Sequence, residues 1–390
     1  MEWGKVEEAL IEAAASPDEN AHAAQQRKRY AFPGAVLLVG QGGEIVYEHA
    51  VGCRSLVPEV TPMQRDTVFD VASLTKVIVT TTLAMQLVDR GLLEVNRRLS
   101  RIFQTFSTHG KEGMTIRHLL AHCAGYPGTL PFYKQIARLD AGERAGIMCT
   151  RGAIEMVYGE IFKTRLENMP GKVAKYSDVG FILLGHALEV LNGGRFLDKL
   201  AVEHIFAPLK LRSTGFIDLF RVKRRGIAPV TDQIAPTLQC PWRGRVLVGE
   251  VHDENAWAMG GVAPHTGVFT TARDVHTFAS EMIECYYGRG KLISKDVVRA
   301  FWAVDGTVPT STWALGWDTP NEQGSSSGKY FSSSAVGHLG FTGCSLWIDP
   351  EREVDVVLLT NRIHPSLENN GIREFRPLIH DLVMEALGYS

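Results

Sequence analysis

The sequence predicts a mixed α/β (α+β) fold: an antiparallel sheet flanked by the N- and C-terminal helices, together with a mostly helical region. Three observations predict it. The chain opens with an amphipathic helix and then a hairpin. It closes with a hairpin and then an amphipathic helix. Between them lie short helical patterns and loops. Strands from both termini can therefore share one antiparallel sheet, with both terminal helices on one face. The expected division is a discontinuous sheet-bearing part over 1–72 and 259–390, and a mostly helical part over 73–258.

Each element has its own signal. Val6, Ala9, Leu10, Ala13 and Ala14 repeat at helical spacing and make one apolar face, which stops at Ser16-Pro17. Ala35 to Val39 is a short apolar run, Gln41-Gly42-Gly43 turns the chain, and Glu44 to Glu48 returns as the second strand. Residues 74–90 are apolar almost all round. Val77 to Thr82 is a β-branched run, but the length favours a buried helix, and Gly91 suits its end. Gly226 to Arg245 holds Pro229, Pro236 and Pro241 and predicts a long ordered loop. Gly343 to Ile348 and Val354 to Leu359 are strands joined by the turn Asp349-Pro350-Glu351-Arg352. Ile372, Phe375, Leu378, Ile379, Leu382, Val383 and Ala386 form the closing helical stripe.

Composition narrows the function classes. At about 150 residues per domain, 390 residues allow two to three domains. The net charge is −2, which argues against an electrostatic nucleic-acid binder. Hydrophobic residues at 45% and charged residues at 22% argue against wholesale disorder. The six cysteines (Cys53, Cys123, Cys149, Cys240, Cys285, Cys344) are scattered, so they predict buried thiols and not a zinc site or a disulfide framework. No signal peptide and no run of about 20 apolar residues is visible. The expectation is a cytoplasmic protein with no membrane partner, no nucleic-acid partner and no metal or cofactor.

The sharpest local signal is Ser73-Leu74-Thr75-Lys76 at the start of the buried helix. Residues three apart share a helix face, so Lys76 lies beside Ser73. The free N–H groups and dipole of the helix start favour negative charge on Ser73. The same field, with apolar neighbours, disfavours the lysine cation and makes it a plausible base. Alone, this spacing also fits an N-cap serine and an ordinary first-turn lysine. Two further segments weigh against that: Tyr176-Ser177-Asp178, after Pro170-Gly171, and Gly337-His338-Leu339-Gly340-Phe341-Thr342-Gly343, entering the last hairpin.

With these three segments in order, the sequence resembles the serine β-lactamase/penicillin-binding superfamily. Within it, it is similar to the class C β-lactamase-like branch that includes family VIII carboxylesterases. Ser73-x-x-Lys76 resembles the first motif, Tyr176-Ser177-Asp178 the second (Tyr-x-Asn), and His338-Leu339-Gly340 the third (Lys-Thr-Gly) in its His-bearing form. Thr115 to His122, Met259 to Ala263 and Phe269 to Asp274 resemble further family segments, and the likeness covers roughly residues 30–385. The resemblance implies a β-lactamase/transpeptidase-like fold. It makes Ser73 the nucleophile, Lys76 its base or proton relay, and Tyr176 a partner in proton transfer and deacylation. It makes the backbone N–H groups of Ser73 and Phe341 an oxyanion hole, each such donor being worth about 3–4 kcal/mol. Asp178, His338 and Gly340 would line the substrate, His338 as a donor or a pH-dependent charge. Trp257 would either line the substrate pocket or be a core aromatic.

Two departures from the family pattern bear on the substrate. Asp178 stands where the family usually carries Asn; an ionised Asp cannot donate a hydrogen bond, and could instead hold Lys76 protonated and shift base duty to Tyr176. His338 replaces a permanent cation that helps bind a substrate carboxylate. Both favour a neutral ester. The expected activity is a serine carboxylesterase cleaving small-molecule, short-chain esters through an acyl-serine intermediate. The alternatives are a β-lactamase or D-Ala-type peptidase, an acyltransferase of the same fold, and a binding protein that kept the fold. Three other features carry less. Gly324-Ser325-Ser326-Ser327-Gly328 matches G-x-S-x-G without the strand and helix that motif needs, and predicts a flexible loop. Arg221, Lys223, Arg224 and Arg225 predict a solvated face. His252-Asp253-Glu254 lacks the spaced partner of a metal site.

Overall fold

The computed structural model describes residues 1–16, 30–106, 110–226, 229–322 and 324–390; Pro17, the expected stop of the first helix, and Gln323 lie outside them. In chain order the strands are β1 (Gly34–Gln41), β2 (Glu44–Ser55), β3 (Thr61–Pro62), β4 (Phe69–Asp70), β5 (Gly215–Phe216), β6 (Gln239–Cys240), β7 (Arg245–Val246), β8 (Val268–Thr270), β9 (Val336–Leu339), β10 (Ser345–Asp349) and β11 (Val354–Thr360). The main sheet has six antiparallel strands in the order β3–β2–β1–β11–β10–β9. The two terminal hairpins meet where β1 pairs with β11, Leu37 opposite Leu358 and Val39 opposite Val356. The Gly42-Gly43 turn has φ of +60° and +83°, the double left-handed geometry of the tight hairpin turn that glycine adopts without a Cβ penalty.

β1 is an unbroken apolar run because it is covered on both faces. Ala35, Leu37 and Val39 pack with Val6 and Leu10 of the N-terminal helix (Gly4–Ala13) and with Phe375, Ile379 and Val383 of the C-terminal helix (Ile372–Ala386). Val36 and Leu38 face the other way, into the larger core with Phe278 and Met282 of the helix Ala272–Tyr287. Both terminal helices therefore lie on one face, as the patterning predicts. Leu378, counted in the apolar stripe, turns outward and is 51% exposed.

The Ser73 segment leaves β4 and enters a helix that begins as a π turn (Lys76–Thr81) and continues as α (Thr82–Asp89). All six residues of the π turn are buried. The Thr82 hydroxyl donates to the Val77 carbonyl at 2.7 Å, supporting the wider turn. A small sheet, β4–β8–β5, anchors the segment, with Asp70 opposite Phe269. The expected long loop after Gly226 carries a two-stranded ribbon, β6 with β7, too short for periodicity to reveal. The Gly324–Gly328 segment is tied to the C-terminal helix, His380 Nδ1 lying 2.7 Å from the Ser326 carbonyl. The helix Leu219–Arg225, with its basic run, has no buried residue. All six cysteines are buried and unpaired. Among the described residues no helix is long and apolar enough to cross a membrane.

Candidate active site

A cavity of about 600 Å³ opens between the Ser73 turn, the 252–254 loop, the end of β9 and the start of the C-terminal helix. Ser73 lies on its wall within successive tight turns: Leu74 N–H donates to Val71 O, Thr75 N–H to Ala72 O and Lys76 N–H to Ser73 O. Ala72, just before it, has φ +46°, a left-handed conformation that costs a residue with a Cβ.

Two side chains converge on the hydroxyl. Lys76 Nζ donates to Ser73 Oγ at 2.9 Å and the Tyr176 hydroxyl donates to it at 2.8 Å. Lys76 also forms a 2.7 Å ion pair with Asp178 and donates to the His265 carbonyl at 2.9 Å. Ser177 caps the helix Asp178–Leu191, accepting from Gly180 N–H, which fixes Tyr176 and Asp178 on either side of the cap. Burial works to lower the Lys76 ammonium, but Asp178 and Tyr176 outweigh it and hold the lysine above its ordinary range. Burial raises the Tyr176 phenol, and Asp178 adds to this while Lys76 opposes it. The resting site is therefore a lysine cation beside a neutral phenol. The pairing of Asp178 with Lys76 is the one its departure from Asn suggested.

Phe341 lines the same cavity and is exposed. Among the described residues, the Ser73 and Phe341 N–H groups donate to no acceptor, so both remain available to a ligand oxygen. Gly340 is fixed by space: a Cβ there would meet the Val71 carbonyl at 2.6 Å, so glycine lets β9's extension approach the serine turn. His338 lines the cavity but is not the donor or charge expected. Its Nδ1 lies 2.8 Å from the Leu339 carbonyl, which can only accept, so Nδ1 carries the proton and Nε2 is an acceptor without a partner. Burial and Lys76 push this imidazole down to about 3, so it stays neutral.

Trp257 does not line the cavity. Its indole N–H donates to Glu250 at 2.6 Å and its ring lies 4.9 Å from the Arg243 guanidinium, so of the two readings the packed aromatic holds. The sequence missed several residues that do shape the site. His122, buried with φ +52°, packs its ring 4.6 Å from Tyr176 and accepts from Ser177 N–H. Asp253 takes a 3.2 Å bond from His265; burial works to raise its carboxyl, but His265 and the Ala256 N–H hold it below the usual carboxylate range. Arg362, Arg373 and Arg376 line the opposite wall. Arg362 and Arg376 are buried and hold the Phe341, Gly340 and Cys344 carbonyls. Among the described residues, no carboxylate pairs with any of the three.

Comparison with known proteins gives the family and the fold. A family model described as Beta-lactamase matches residues 20–377. The chain is 31% identical over 361 residues to the N-acetylmuramyl-L-alanine amidase of Bacillus subtilis (strain 168), covering 85% of this chain and 78% of that one. It is similar to the structure of the octameric penicillin-binding protein homologue from Pyrococcus abyssi, with a TM-score of 0.71 and 20% identity over 100% of this chain and 78% of that one. It is similar also to EstCE1, a hydrolase with promiscuous acyltransferase activity, with a TM-score of 0.68 and 20% identity over 97% of each chain. At that identity the two structures attest the fold.

Proposed function

This chain belongs to the β-lactamase family, whose members are serine hydrolases, and on that premise we propose that it cleaves short-chain carboxylic esters through an acyl intermediate on Ser73. The observation that carries the reading is the convergence of Lys76 and Tyr176 on Ser73 Oγ, beside two N–H groups that donate to no acceptor among the described residues. The ester carbonyl oxygen sits between the Ser73 and Phe341 N–H groups, which stabilise the charge it gains. Ser73 Oγ attacks the carbonyl carbon and its proton passes to Tyr176, in the minority of molecules where that phenol is ionised. Lys76, kept charged by Asp178, stabilises both the phenolate and the nascent alkoxide. Tyr176 returns the proton to the leaving alcohol, then takes one from the water that attacks the acyl carbon and passes it to Ser73 Oγ as the acyl–oxygen bond breaks and the acid leaves. The neutral His338 supports an uncharged substrate on its side of the cavity.

The test is p-nitrophenyl butyrate hydrolysis by wild type and Ser73→Ala. Turnover by the first and not by the second is expected; equal activity in both would reject Ser73 as nucleophile.

A second reading is favoured by Arg362, Arg373 and Arg376, which line the cavity and, among the described residues, form no ion pair with a carboxylate. It is an amide or peptide whose leaving end bears a carboxylate. A D-alanyl-D-alanine peptide turned over faster than the ester, with Arg373→Ala raising its KM several-fold and leaving the ester unaffected, would move the assignment there.

A further inference from the structure

We propose that Asp70 is a positioning residue for Ser73: its carboxylate grips the N–H groups of Ala72 and His252 and so holds the left-handed turn that aims the serine. The inference rests on the reading of Ser73 as the nucleophile. Asp70 is 2% exposed at the end of β4. One carboxylate oxygen accepts from Ala72 N–H at 2.9 Å and the other from His252 N–H at 2.8 Å. Its backbone carbonyl accepts from the Thr342 hydroxyl at 2.8 Å, one residue beyond Phe341. One residue thus ties together the serine turn, the cavity wall and the strand end that carries the second oxyanion donor.

The groups around Asp70 do not form an ion pair with it. Asp253 opposes its charge, Arg243 favours it from a distance, and the buried Cys344 thiol lies behind its carbonyl. Burial pushes the carboxyl up to about 6. An ionised group without a cation is poorly suited to stabilise a core. It is well suited to hold Ala72 at φ +46°, because two oxygens can each take a backbone N–H. An Asn there offers one acceptor and turns its own N–H₂ on the other donor.

The experiment compares wild type, Asp70→Asn and Ser73→Ala. Labelling by a fluorophosphonate is followed by intact mass, and amide exchange by the peptide spanning residues 69–76. Asp70→Asn is expected to keep a melting temperature within a few degrees of wild type. It should label about 100-fold more slowly, with the loss in the rate of bond formation and not in probe affinity. Exchange in residues 69–76 should rise while that of β1 stays constant. If Asp70→Asn does not fold, wild type decides: protection of 69–76 relative to β1 should fall between pH 7 and pH 5. Labelling within twofold of wild type, or unchanged protection, overturns the proposal. If wild type and Ser73→Ala label alike, the nucleophile reading has failed, and the exchange data alone judge the clamp.

Discussion

Lys76 and Lys111 are both buried, at 0% and 1% exposure, yet their surroundings drive them in opposite directions. Lys111 donates to the Ile161 and Phe162 carbonyls near the end of the helix Arg151–Lys163, and its ammonium lies 5.5 Å from each of the Phe106 and Tyr126 rings. Among the described residues it meets carbonyls and ring faces but no carboxylate, and burial pushes it down to about 8. Lys76 meets Asp178, Tyr176 and Ser73, and is held up. Burial alone weakens a lysine's charge. Whether that lysine serves a fold or a reaction depends on the neighbours that can exchange charge or protons with it.

The largest expected effect separates the two directly. Lys76→Met should cost about 10³-fold in kcat/KM for p-nitrophenyl butyrate. Lys111→Met should stay within twofold; a comparable loss there would break the comparison. Next comes Tyr176. Tyr176→Phe should cost about 10²-fold. Because burial raises the phenol, only a growing minority is ionised as pH increases. Wild-type kcat/KM should therefore climb from pH 7 to pH 9.5 without a plateau, and an alkaline fall within that range would remove Tyr176 as the base. The smallest effect is on stability. Lys111 binds its proton less tightly in the folded chain, at about 8, than in the unfolded chain, near 10.5. Between those values the unfolded chain holds more protons, so stability rises with pH. Thermal melts from pH 7.5 to 10 should show wild type gaining on Lys111→Met across that window.

The sequence made local features legible and left meetings in space hidden. The terminal hairpins and helices could be read because each is a pattern within a few residues, and the shared sheet follows from their matching order at the two ends of the described fold. The Asp178 pairing could be read because the charge change itself named its partner. His338 was misjudged because its proton is fixed by a neighbouring carbonyl and its charge by burial, neither of which a motif encodes. Trp257 turned away because Glu250 and Arg243 lie together only once the ribbon of β6 and β7 has formed. Asp70 and His122 act on backbone N–H groups, which every residue but proline carries, so no residue type marks them. Arg373 and Arg376 were hidden within a helix that announces itself by its apolar stripe.

The pairing of β1 with β11 has a consequence for how the molecule is made. The ribosome releases β1 some three hundred residues before the strand that covers its edge. Until then, an apolar strand with one unpaired side waits in the nascent chain, and the cavity beside Ser73 lacks the wall that Arg362, Arg373 and Arg376 supply. The β10–β11 hairpin thus closes the open edge of β1 and, with Phe341 just ahead of it, completes the cavity beside Ser73. A chain cut short before Val354 should be inert and prone to self-association.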